Sequence, residues 1–255
     1  MIRKLYVMQY ETLVIRGRYP AKGARELLAG LYAENLPFLI VTDQSQKTRE
    51  EIVRSMMDMG FYHIPYDAIY TSTMAAADWV ARQYPEKAKA AYLGGRGMKK
   101  SLEEAGFAIV NTHPDWLFVG FDRNATYEDQ SFCLSLIRSG AALISTDSSP
   151  TRFGDTGEGI GAGAFIKMLE YASGTRALEF GRPGVISIAS ALRYQGYEAK
   201  EAIFVGADFK KDIIPALQCG MDTVLVTEGR SIQGLGMSEK LHPRWIIDDL
   251  SGLLR

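Results

Sequence analysis

Two polar side chains that could take part in chemistry follow the first apolar segment of the chain. Residues 5–8 are apolar, and Gln9 and Glu11 come directly after them, two positions apart. The segment predicts a strand, and in open α/β sheets the chemistry gathers beyond the carboxyl ends of strands. Glu11 carries a carboxyl group that can accept or donate a proton. Gln9 carries an uncharged amide, which is not a nucleophile and binds hard cations poorly.

Strand and helix patterns alternate along the whole chain. This alternation predicts an α/β fold in which helices cover a parallel sheet. The predicted strands lie at residues 4–8, 37–41, 89–93, 115–119, 141–145, 201–205 and 222–226. The predicted helices lie at residues 22–35, 48–59, 73–84, 97–105, 126–139, 161–173, 184–195, 210–219 and 248–254.

The middle of the chain has enough elements for a sheet and a core of its own. We therefore predict a core domain made of residues 1–72 and 179–255, with residues 73–178 inserted as a second α/β domain. No low-complexity linker separates the two, so the chain is expected to cross between them in short segments near residues 71–73 and 178–181.

The composition indicates an ordinary globular protein. The chain has 255 residues, is 47% hydrophobic and carries a formal net charge of -1, so it offers no basic field for nucleic acid. Apolar runs such as 38–41 are far shorter than a membrane span, so we expect no membrane partner. The chain enters a strand almost at once without a signal-peptide pattern, and we expect it to be cytoplasmic. Cys133 and Cys219 are predicted to be reduced core residues.

Several weaker patterns are not predicted to form sites. His63, His113 and His242 are scattered and show no metal-ligand spacing. The glycine run at 159–163 lacks the third spacing of a dinucleotide fingerprint and predicts a turn before a helix. The glycine run at 94–97 lacks the spacing of a phosphate-binding loop.

Four segments, in chain order, carry a resemblance to a known family. They are Gln9-Tyr10-Glu11-Thr12 continuing to Arg16-Gly17, Val41-Thr42-Asp43-Gln44-Ser45, Gly181-Arg182-Pro183, and Val205-Gly206-Ala207 followed by Asp212-Ile213. They resemble the motifs of the haloacid dehalogenase superfamily, specifically the type IIA phosphatases related to p-nitrophenyl phosphatases. Residues 69–72, 120–128 and 161–164 are similar to the cap domain of that family. The resemblance covers nearly the whole chain and implies a Rossmann-like core with an inserted α/β cap.

The resemblance assigns catalytic positions that hold the wrong residues. In the family, one aspartate attacks phosphorus and a second protonates the leaving group and then activates water. Gln9 stands at the nucleophile position and Glu11 at the acid/base position. Glu11 keeps a carboxyl group with one extra methylene, whereas Gln9 cannot form an aspartyl-phosphate.

The family's magnesium site is altered in the same way. The resemblance implies that magnesium is held by the nucleophilic carboxylate, a backbone carbonyl and the aspartate of the fourth motif. Gln9 and Ala207 replace both of those carboxylates. Asp212 remains, and Asp208 is a candidate substitute, but the site is predicted to be degraded and we predict no cofactor.

The phosphate-binding positions implied by the resemblance are better retained. Thr42 keeps a hydroxyl group in the second motif, and Arg182 keeps a positive charge with a bidentate fork for oxyanions. Asp43 replaces an asparagine and adds negative charge nearby. Residues 146–149 replace the cap loop that contacts substrate in the family, so these contacts are expected to differ.

Three hypotheses about function follow. The first is a phosphatase homologue with impaired or no catalysis, retained to bind a small phosphorylated ligand or to interact with a partner. The second is a divergent hydrolase acting on small phosphorylated metabolites such as sugar phosphates or nucleotides, with Glu11 or the hydroxyl of Thr12 or Thr42 taking part. The third is a structural protein that forms a homodimer through the cap.

Overall fold

The chain folds into two compact units. The computed structural model describes residues 4–154, 157–182, 184–238 and 241–253. The core unit consists of Met1–Thr42, Glu50–Tyr70 and Pro183–Arg255, and the inserted unit consists of Asp43–Arg49 and Thr71–Arg182. The sequence predicted domain limits at 72/73 and 178/179, whereas the chain passes between the compact units at 70/71 and 182/183. Residues 43–49 also belong to the inserted unit, although they lie within the first predicted core segment.

Strands and helices alternate in both units. The strands are β1 (Leu5–Gln9), β2 (Val14–Ile15), β3 (Tyr19–Pro20), β4 (Phe38–Thr42), β5 (Ile69–Thr71), β6 (Lys89–Leu93), β7 (Ala108–Ile109), β8 (Trp116–Val119), β9 (Ala142–Ser145), β10 (Thr151–Gly154), β11 (Gly157–Ile160), β12 (Leu178–Glu179), β13 (Ala202–Gly206), β14 (Asp222–Val226) and β15 (Trp245–Ile247). The helices are α1 (Tyr10–Leu13), α2 (Ala24–Ala33), α3 (Arg49–Asp58), α4 (Ser72–Gln83), α5 (Arg96–Glu104), α6 (Tyr127–Arg138), α7 (Ala162–Ser173), α8 (Val185–Gln195) and α9 (Ile214–Gln218). Within the described residues, every helix is too short or too polar to span a lipid bilayer.

The core unit is built on a six-stranded sheet in the order β15-β14-β13-β1-β4-β5. β1 lies between β13 and β4 and pairs in parallel with both. The register places Met8 beside Val205 and Gln9 beside Val41. The carboxyl ends of these three strands therefore lie at one edge of the sheet.

The inserted unit has a five-stranded sheet in the order β12-β9-β8-β6-β7. Its central strand, β8, sends alternate side chains to opposite faces, as the two-residue period of a strand requires. Leu117 and Val119 pack into one buried cluster, while Trp116 and Phe118 pack into another. Both faces of this sheet are therefore covered.

The structure confirms the predicted α/β fold class with a parallel sheet and a second α/β unit, and it differs in several details. The strands that the sequence missed are short ones, including β5 and the antiparallel hairpin of β10 and β11. The glycine run at 159–163 begins in β11 and continues into the start of α7, where a turn was predicted. The helix predicted at 248–254 is a 3-10 turn at Leu250–Gly252, and residue 254 lies outside the described residues.

The segment of residues 43–49, which we call the crossing segment, docks on the glycine run at 94–97. The amide of Met98 donates to the carbonyl of Ser45 at 2.9 Å, and the Ser45 hydroxyl donates to the carbonyl of Phe121 at 3.0 Å. A Cβ atom on Gly97 would lie 1.9 Å from the carbonyl oxygen of Lys47. The glycines therefore let two backbones approach closely, which is a structural role.

Substitution of Gly97 by alanine is expected to destabilise the protein. Overpacking against a backbone carbonyl costs about 1–3 kcal/mol, and it outweighs the gain of up to about 1 kcal/mol from replacing a helical glycine. The measurement is urea unfolding of the natural chain, Gly97→Ala and the control Gly159→Ala, whose added Cβ would have no atom within 4 Å. Equal stability of the Gly97 and Gly159 variants would contradict the docking.

Candidate functional site

Gln9 and Glu11 contact each other at the carboxyl end of β1. Gln9 is 2% exposed, and its Nε2 atom donates to Oε2 of Glu11 at 2.5 Å. The single helical turn α1 follows β1 at once and carries the exposed Glu11 side chain just beyond the strand end. The contact joins a neutral amide to a carboxylate, so the negative charge here belongs to Glu11 alone.

The aspartates after β13 are bound to the backbone of their own turn. Asp212 is 1% exposed, and its Oδ2 atom accepts from the amides of Ala207 at 3.1 Å and Asp208 at 3.0 Å. Oδ1 of Asp208 accepts from the amides of Lys210 and Lys211. A π-helical turn at Phe209–Ile213 leads from this loop into α9.

The turn also explains the glycine that ends β13. A Cβ atom on Gly206 would lie 2.4 Å from the Cβ atom of Asp212. Glycine therefore lets the Asp212 carboxylate come close enough to cap the two amides. The Val-Gly-x-x-x-x-x-Asp spacing therefore serves this backbone turn, to which Ala207 contributes its amide.

The side chains at positions 9, 207, 208 and 212 do not fit the magnesium site that the resemblance implies. Magnesium prefers anionic oxygen ligands in octahedral geometry. Positions 9 and 207 offer an amide and a methyl group, and Asp208 and Asp212 already cap backbone amides. Among the residues that the structure describes, no three His, Cys, Asp or Glu side chains are grouped to hold a metal ion.

The predicted phosphate-binding residues are divided between the two units. Thr42 is buried at the end of β4, one residue past the partner of Gln9 in the register. Asp43 and Arg182 belong to the inserted unit, where the amide of Arg182 donates to Oδ2 of Asp43 at 3.0 Å. Thr12 is fully buried, and its hydroxyl has no hydrogen-bond partner within the described residues.

Sequence reasoning missed Arg230, which reaches the same edge of the core sheet. Its Nε atom donates to the carbonyl of Thr227 at 2.8 Å, and its Nη2 atom donates to the carbonyls of Ala207 at 2.9 Å and Val226 at 3.3 Å. The signal in the sequence was weak, because Arg230 lies four residues beyond the end of β14. A positively charged side chain close to the end of a predicted strand was nevertheless a reason to consider Arg230 as a site residue.

A small cleft lies beside Arg230 in the core unit. Its volume is about 190 Å³, and its polar lining includes Asp208, Thr227, Arg230 and Ser231. Ala207 also lies in its wall. Apolar side chains such as Phe209 complete the lining.

Two family models match most of the chain. One is described as a haloacid dehalogenase-like hydrolase and matches residues 10–108, and the other is described as HAD-hydrolase-like and matches residues 179–253. The chain belongs to the haloacid dehalogenase-like hydrolases. Membership confirms the family that the motifs indicated.

Individual relatives match over nearly the full length. An acid sugar phosphatase of Staphylococcus epidermidis is 29% identical over 247 residues, which are 96% of this chain and 95% of the relative. Among solved structures, NagD from E. coli K-12 has a TM-score of 0.88 and 26% identity, covering 99% of this chain and 98% of NagD. A mutant of the thermostable p-nitrophenylphosphatase from Bacillus stearothermophilus has a TM-score of 0.86 and 28% identity, covering 99% of this chain and 98% of that one. The fold is therefore that of phosphatases in this family, with a Rossmann-like core and a cap.

These comparisons support a hydrolase-like protein of the phosphatase type more directly than an inactive one. Two of these relatives are named as phosphatases, an acid sugar phosphatase and a p-nitrophenylphosphatase, and nothing in the comparisons shows impaired catalysis. The loss of activity inferred from Gln9 and Ala207 stays a prediction.

Asp212→Ala is expected to reduce stability by about 1–3 kcal/mol, because it leaves two amides of a buried turn without an acceptor. Asp212→Asn keeps one acceptor oxygen and is expected to lose less. The measurement is the free energy of unfolding in urea. The control is Asp58→Ala, an exposed position at the end of α3, where the change should stay within about 0.5 kcal/mol. An Asp212→Ala protein as stable as this control would contradict the capping role.

Proposed function

We propose that this haloacid dehalogenase-like hydrolase is a divergent phosphatase of small phosphorylated metabolites, with sugar phosphates as the first class of substrate. The observation that carries the proposal is the match to acid sugar phosphatases along 96% of the chain. The cap and the core are both present, and the match to NagD covers 99% of this chain and 98% of NagD.

The residues of this chain define which reaction course is available. Gln9 offers no carboxylate to attack phosphorus, so an enzyme-bound aspartyl-phosphate does not form at that position. Water can serve as the nucleophile instead. Its oxygen bonds to phosphorus as the P–O bond to the substrate's leaving oxygen breaks, a positioned carboxylate accepts the proton of the water, and the leaving oxygen takes a proton from solvent. Glu11 supplies this carboxylate, because its side chain is exposed at the end of β1 and the amide of Gln9 orients its Oε2 atom.

Phosphoryl transfer also needs positive charge near the equatorial oxygens. Arg182 and Thr42 are the groups proposed from the resemblance to contact the phosphoryl group, and Asp43 reduces the positive charge available to them. Turnover is expected to be slow, because one carboxylate replaces the pair of aspartates that the family uses.

A second candidate function is binding of the same ligands without turnover. The contact between the Gln9 amide and the Glu11 carboxylate favours it, because it fills the nucleophile position with a group that cannot react. In this case a sugar phosphate would raise the unfolding temperature of the protein without releasing inorganic phosphate. Homodimerisation through the inserted unit stays a prediction, which sedimentation of the natural chain would test.

The deciding measurement is release of phosphate from a panel of sugar phosphates and nucleotides, with and without a chelator. We expect slow, chelator-resistant turnover by the natural chain. Glu11→Gln should lower it by about a hundredfold, the low end of what a general base contributes. Absence of release by the natural chain, combined with ligand-dependent stabilisation, would support the binding function and reject the phosphatase.

The triple variant Gln9→Asp, Glu11→Asp, Ala207→Asp tests the scaffold separately. It restores the three family carboxylates, so we expect magnesium-dependent phosphatase activity at least about a hundredfold above that of the natural chain. The control is the same variant assayed with a chelator. A folded triple variant without activity would show that other changes, such as Asp43, have also altered the site.

A further inference from the structure

Arg230 is fixed by backbone groups from two neighbouring strand ends. Its three hydrogen bonds go to carbonyl oxygens of Ala207, which follows β13, and of Val226 and Thr227, at the end of β14. Backbone carbonyls are strong hydrogen-bond acceptors but carry no net charge. The guanidinium group is therefore held in one place by partners that do not neutralise it.

The guanidinium group keeps donors free for a ligand. Of its five N–H groups, the one on Nε and the two on Nη2 account for the three carbonyl contacts. Nη1 makes no contact within residues 4–154, 157–182, 184–238 and 241–253. The side chain is 56% exposed and lines the 190 Å³ cleft, which has room for several molecules of water at about 30 Å³ each.

Nearby carboxylates reduce this positive charge without occupying its free donors. Oε2 of Glu228 lies 3.8 Å from Nη2, beyond hydrogen-bond distance. Oδ1 of Asp208, in the same cleft, accepts from two backbone amides. Ala207 lines the same cleft, and its methyl group adds no negative charge there.

We propose that Arg230 is an oxyanion-binding residue at the carboxyl ends of β13 and β14. Nη1 donates to an oxygen of a phosphoryl group, and the guanidinium group supplies positive charge where the family uses a divalent cation. The binding of an oxyanion follows from the geometry of Arg230. Its assignment to the phosphoryl group of a substrate rests on the proposed function.

The test uses calorimetric titration of inorganic phosphate into the full chain in the presence of a chelator. We expect the natural chain to bind phosphate, and Arg230→Gln to weaken binding by about tenfold or more, as expected for loss of a charged hydrogen bond. The control is Arg244→Gln, which removes an arginine of similar exposure, 60%, that pairs with Asp222 instead. This control is expected to leave the affinity unchanged.

A second variant separates the charge of Arg230 from its structural contacts. Ala207→Asp leaves Arg230 in place and adds a carboxylate to the cleft that both residues line, so we expect the same tenfold loss of phosphate affinity, with the chain still folded by circular dichroism. Absence of phosphate binding by the natural chain, binding that requires magnesium, or unchanged affinity in both variants would overturn the proposal.

Parallel titrations with a sugar phosphate distinguish this proposal from the proposed function. Sugar phosphate binding that weakens in Arg230→Gln places the phosphoryl group of the ligand at Arg230. If inorganic phosphate binds through Arg230 but no sugar phosphate is bound or hydrolysed, the oxyanion site stands and the proposed function fails. If sugar phosphates are hydrolysed equally well by Arg230→Gln, the proposed function stands and the role of Arg230 is rejected.

Discussion

The parallel pairing of β1 with both β13 and β4 is the constraint on which the candidate site depends. Leu5, Val7 and Met8 are fully buried, so β1 is held by packing on both faces as well as by its neighbours. A slip of one residue would exchange the two faces of the strand and is therefore excluded by the core. The same register fixes Gln9 beside Val41, which brings the polar residues after three strands to one edge.

The turn after β13 is built around a carboxylate that serves the backbone. Asp212 caps two amides, and Gly206 provides the space for it, so both residues stabilise the turn whether or not a metal binds. Ala207 contributes its backbone amide to that turn. Positive charge at this edge comes from Arg230, whose position depends on carbonyls at two strand ends.

The sequence predicted the longer elements well because their apolar residues recur with the period of a helix or a strand and so mark the buried face. It missed strands of two to four residues such as β5 and β10, since so few residues carry no clear period. It also placed the crossing segment with the core domain. The glycines that contact this segment lie about fifty residues further along the chain, and a local sequence pattern does not predict a contact between segments so far apart.

By itself, the sequence determined the fold class, the family and the chemical groups available: an amide at Gln9, a carboxyl at Glu11 and a methyl at Ala207. These follow from residue types and short-range spacing, which any chain shows without being folded. Only the tertiary structure decided what the groups contact. Asp212 became a cap and Arg230 a cation at the strand ends because β13 and β14 pair side by side, and that pairing joins residues distant in sequence.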